Sequence, residues 1–117
     1  MSVCVAVTDS KEGHSALEAA AQEAVQLNLP LVAVNLTGSD LDTSAIASEY
    51  EVIVPGSSSL DEVDQVLQVI KERPEISRLV VGVRKRSPVG KVVLGSIAQR
   101  LILEATVPVL SVKSADA

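Results

Sequence analysis

Five short stretches of the chain are dominated by apolar, β-branched residues, the pattern of strands buried on both faces of a sheet. They run from Val3 to Val7, Leu31 to Leu36, Glu51 to Val54, Leu79 to Val83 and Val107 to Val112. Three segments between them change to a helical period. Leu17, Ala20, Ala21, Ala24 and Leu27 share one face of a helix that ends before Pro30, with Glu18, Gln22, Glu23 and Gln26 placed elsewhere. Leu60, Val63, Val66, Leu67 and Ile70 do the same ahead of Pro74. The serines Ser57, Ser58 and Ser59 offer caps to that helix, and Ser59 with Glu62 has capping-box spacing. Its acids Asp61, Glu62 and Asp64 and its bases Lys71 and Arg73 follow the helix dipole. A third helix opens near Gly95-Ser96 and carries Ile97, Leu101 and Ala105 on one face. Thr37 to Tyr50 is weakly periodic, with room for one or two helical turns over Asp40 to Ser48.

Strands that alternate with helices in this way need crossover connections, which makes the fold α/β, a parallel sheet with helices on both faces. Pro108 lacks a backbone N–H, so the last strand is expected at a sheet edge. With 117 residues, 47% of them hydrophobic, the chain suits one domain over 1–117 with a single core. No internal repeat, low-complexity tract or interdomain linker interrupts it.

Composition narrows the partners. Tyr50 is the one aromatic residue, which removes the stacking platforms of single-strand binders, and a net charge of −5 repels a phosphate backbone. Nucleic acid and anionic membrane are therefore excluded as expected partners. The one cysteine, Cys4, is expected to be a buried, inert thiol and cannot form an internal disulfide. With no leader pattern and only short apolar runs, a cytoplasmic location is expected.

In open α/β sheets ligands bind beyond the carboxyl ends of the strands, where the strand order reverses. Three segments qualify: Thr8-Asp9-Ser10, Asn35-Leu36, and Gly82 to Ser96. In the third, Arg84, Lys85, Arg86, Ser87, Gly90 and Lys91 form a long basic loop between a strand-ending glycine and a helix-opening Gly95-Ser96. Helix-start N–H groups, a hydroxyl, cations and close-approach glycines together suit an anion. The plainer alternative is a solvated loop whose Gly95 merely begins a helix. Gly90-Lys91 lacks the Ser or Thr and the glycine spacing of a P-loop, and no G-x-G-x-x-G follows the first strand. A Walker ATPase and a dinucleotide oxidoreductase are set aside. His14, near a helix start, reads as solvated; Asp9 with Ser10 reads equally as helix cap and as ligand contact. The acids at 61, 62 and 64 need no metal to explain them, and no catalytic group stands out.

Gly82, followed thirteen positions on by Gly95-Ser96 across a basic, serine-containing loop, resembles the nucleotide-binding signature of universal stress proteins: Gly, two residues, Gly, nine residues, Gly, Ser or Thr. Val5 to Leu17 resembles that family's opening strand, turn and helix, and Val107-Pro108-Val109-Leu110 its closing strand. The chain departs from the pattern where the second motif glycine falls on Lys85 and where the family's strand-ending aspartate falls on Thr8, with Asp9 beside it. Thr37 to Tyr50 is also shorter than the corresponding family segment.

The resemblance implies a doubly wound five-stranded parallel sheet of order 3-2-1-4-5, a Rossmann-like three-layer sandwich of the adenine nucleotide alpha hydrolase type. It implies ATP, AMP or another adenine nucleotide as ligand, with Mg2+ as companion ion. Adenosine is then expected between Ala6, Thr8 and Asp9 and the backbone around Val34, above Val81 and Gly82, with the phosphates at Lys85, Gly95, Ser96 and Ile97. A stress-responsive homodimer joined through Val107 to Val112 follows, with slow hydrolysis at most. Two other readings stay open: a nucleotide-independent dimeric interaction module, in which Thr8 and Lys85 mark a lost ligand, and an α-hydrolase-type enzyme, for which Thr8-Asp9-Ser10-Lys11 is a poor pyrophosphate loop.

Overall fold

The computed structural model describes residues 1–56, 61–86 and 91–114. Its elements in chain order are β1 (Ser2–Thr8), α1 (Lys11–Leu27), β2 (Leu31–Leu36), β3 (Tyr50–Ile53), α2 (Glu62–Glu72), β4 (Ile76–Arg86), β5 (Lys91–Val93), α3 (Ser96–Glu104) and β6 (Val109–Lys113). Five strands pair in parallel in the order β3-β2-β1-β4-β6, the doubly wound arrangement expected from the alternation and the resemblance. The sixth, β5, runs antiparallel against the far end of β4, from Arg84 opposite Val93 to Arg86 opposite Lys91. The basic segment is therefore a hairpin at both described ends, not a plain loop. Val92 and Val93 are strong strand formers, and β4 extends past its sheet neighbours to pair with them.

Side chains alternate between the faces of each central strand, and so does the core. Val3, Val5 and Val7 of β1 pack with Ala33 and Val80 against α1, while Cys4 and Ala6 pack with Val32, Val34, Leu79 and Val81 against α2 and α3. The buried face of α1 is Gly13, Ala16, Leu17, Ala20, Ala21 and Ala24, mostly residues too small to hold a helix away from a sheet. Its first turn comes so close that a Cβ on Gly82 would overlap the Glu12 carbonyl, and one on Gly13 would overlap that of Thr8.

Several boundaries differ from the sequence expectation. Leu27 is 40% exposed, because α1 ends there and Asn28 turns the chain away at a left-handed φ of 55°. Thr37 to Tyr50 forms turns without a helix before β3. Asn35 organises the first of them, its amide donating to Ser39 O at 2.8 Å and its carbonyl oxygen accepting from the Thr37 N–H at 3.0 Å. Helix α2 is capped by Asp61, which accepts from the Asp64 N–H at 2.9 Å. Glu62 is thus the first helical residue, two places too early to act as the third residue of a capping box; Ser57 to Leu60 lie outside the described residues. Ala105 caps α3 instead of extending it. Pro108 precedes β6, where its carbonyl accepts the Leu79 N–H at 2.9 Å, and among the described residues β6 pairs with β4 alone. Among the described residues no helix is long and apolar enough to cross a membrane.

Candidate functional site

The strand order reverses between β1 and β4. From β1 the chain turns into α1 on one face of the sheet, and from β4 it passes through β5 to α3 on the other, so the two connections part. They leave a cleft of about 230 Å³. Ala6 and Val81 floor it, 4% and 2% exposed, with Ala98 and Leu101 of α3 as an apolar wall. Thr8, Ser10 and Glu12 form one lip, and Gly82, Gly95, Ser96 and Ile97 the other.

The two lips differ in how their helix starts are finished. At α1 the Ser10 hydroxyl accepts the Gly13 N–H at 3.0 Å and shares a 2.8 Å hydrogen bond with the Thr8 hydroxyl. At α3 the N-cap is Gly95, with extended backbone (φ −67°, ψ 163°) and no side chain to accept a helix N–H. The first N–H groups of any helix lack intrahelical partners and carry about half a positive charge, and here the helix-start residues Gly95, Ser96 and Ile97 line the cleft. Among the described residues, no atom outside its own chain neighbours lies within 4 Å of where a Cβ on Gly95 would stand.

Glu12 brings a negative charge to the same cleft. Its carboxylate lies 3.2 Å from the Arg84 Nε, with side-chain exposures of 17% for the acid and 54% for the base. Burial works against its ionisation, but its own backbone N–H, the Arg84 charge and the Ser10 hydroxyl outweigh burial and hold the carboxyl below the usual glutamate range. Cys4 is buried beneath the sheet face, and that burial pushes its thiol up to about 12, against a smaller opposing pull from Arg73.

Of the residues expected at a ligand, Ala6, Thr8, Val81, Gly82, Gly95, Ser96 and Ile97 meet in this cleft. Asp9 is exposed beside it. Val34 is fully buried, paired in register with Ala6. Lys85 stands on the hairpin opposite Val92. Asn35 and Leu36 instead border a second hollow of about 380 Å³ at the ends of β2 and β3, with Gly38, Asp40, Glu62 and Gln65. Glu12 was not legible as a cleft residue: an acid in a first helical turn reads as dipole compensation, and nothing in the sequence says that this turn lies over Gly82.

Sheet order, reversal point and the uncapped helix start place the molecule among doubly wound α/β proteins. Residues 58–113 match the model of the universal stress protein family. A protein named "Universal stress protein" from Mycolicibacterium smegmatis is 33% identical over 116 residues, covering 86% of this chain and 88% of that one. The chain belongs to the universal stress protein family. The solved universal stress protein from Archaeoglobus fulgidus is similar with a TM-score of 0.69 at 28% identity, covering 97% of this chain and 98% of that one. A structure from the same organism in complex with dAMP gives 0.64 at 24% identity, again covering 97% and 98%.

Proposed function

We propose that this protein binds an adenine nucleotide in the cleft between β1 and β4 and uses the bound state to regulate a partner during stress. The observation that carries the reading is the start of α3: a glycine cap with no side-chain acceptor, no described atom in front of it and a serine directly behind. That arrangement fits a phosphate, which would take the N–H groups of Ser96 and Ile97 and the Ser96 hydroxyl. The sugar and base would then extend over Ala6, Thr8 and Gly82 toward the β2 backbone around Val34, with Lys85 and Arg84 near the phosphate end. The dAMP bound to a related fold supports an adenine ligand. ATP belongs to the same proposal, with Mg2+ as the companion that would offset its added phosphate charge. In this reading residues 1–117 act as one cytoplasmic domain that dimerises through the open edge of β6, where Leu110 is 41% exposed.

A second reading rests on Thr8. Its hydroxyl is engaged by Ser10, the cap of α1, and it stands where the family carries an aspartate; a site so altered suits a nucleotide-independent interaction module. Calorimetric titration with ATP, AMP and cyclic AMP, on the native protein and on Gly95→Asp, separates the two. We expect micromolar binding that the variant abolishes, since its carboxylate takes the helix N–H groups and repels phosphate. Its melting temperature should not fall, because Asp is a good N-cap and the space is open. Neither heat nor thermal shift with all three ligands would leave the interaction module standing.

A further inference from the structure

We propose that Glu12 makes the cleft selective by ligand charge, pairing with Arg84 so that an entering phosphate competes for the guanidinium and each further phosphate charge is repelled. The inference rests on the nucleotide reading above and adds which nucleotides the cleft prefers. Glu12 lies on the lip of the cleft, 17% exposed, its carboxylate 3.2 Å from Arg84. Its backbone is held there, the carbonyl packing on Gly82 so tightly that a Cβ would overlap it, and Arg84 holds the carboxylate. The carboxyl is held in its charged form by the backbone N–H, Arg84 and the Ser10 hydroxyl despite burial.

An anion built into an anion site has two effects of the same sign. It neutralises Arg84, which it meets at 3.2 Å, and it adds a Coulomb penalty that grows with the charge of the ligand. Neutral adenosine feels neither. A monophosphate feels both once, and a triphosphate feels the penalty several times over, so the cleft ranks ligands against polyphosphate.

The test is titration of adenosine, AMP and ATP into the native protein, Glu12→Gln and Glu12→Asp, in buffer with EDTA at low salt, where screening is weak. Expected in Glu12→Gln is unchanged adenosine affinity, AMP affinity raised roughly tenfold and ATP affinity raised further, with Glu12→Asp ranking the ligands as the native protein does. An equal change for all three ligands, or weaker AMP and ATP binding in Glu12→Gln, would overturn the charge role while leaving nucleotide binding intact. Absence of binding for all three ligands in all three proteins overturns the nucleotide reading itself. Ser10 still caps α1 in both variants, and thermal melts verify that they fold.

Discussion

Two glycines of one signature do different work. Gly82 is a steric requirement: the α1 backbone occupies the volume a methyl group would need. Gly82→Ala should therefore cost about 1–3 kcal/mol, as overpacked sites do, read as a lower urea midpoint with the m-value unchanged. A Cβ on Gly95 would meet no described atom, and its expected role is toward a ligand, so the two substitutions should separate stability from binding. Both glycines were legible in the sequence as a spaced pair, but the difference between them was not. It depends on how near α1 lies to β4, and that distance is set by a run of alanines whose partner strand is some sixty residues away. Glu12 escaped for the same reason.

At the scale of elements, the alternation of buried strands and amphipathic helices was sufficient to give the α/β class, and the resemblance supplied the strand order. Errors gathered where local preference and tertiary contact disagree. β5 is three residues long and exists because β4 overshoots its neighbours to meet it, so no periodicity marks it. Leu27 fits the apolar stripe of α1 yet falls on the turn where Asn28 ends the helix. The cap of α1 was correctly among the readings of Ser10, and it ties to Thr8 as well as to the Gly13 N–H. Ser10→Ala should destabilise the protein by about 1 kcal/mol, measured by denaturant melts, and should free the Thr8 hydroxyl on the cleft lip. If that hydroxyl then reaches a ribose, AMP binding will strengthen in spite of the lost stability.

For the whole molecule, β6 leaves one sheet edge unpaired among the described residues, with Leu110 on it 41% exposed. A bare edge invites pairing with a second chain. Leu110→Lys should convert the proposed dimer to monomer in light scattering while leaving nucleotide affinity within twofold, since the cleft is lined by β1, β4, the start of α1 and α3, with no lining residue from β6 among the described residues. The packing of α1 on Gly82 also bears on descent. A residue demanded by the scaffold is retained whether or not a ligand is ever bound, so Gly82 would survive in a lineage whose cleft has fallen silent. The residue at 95, where a Cβ would meet no described neighbour, is freer to change once the ligand is gone, and its identity is the better record of which relatives still listen for one.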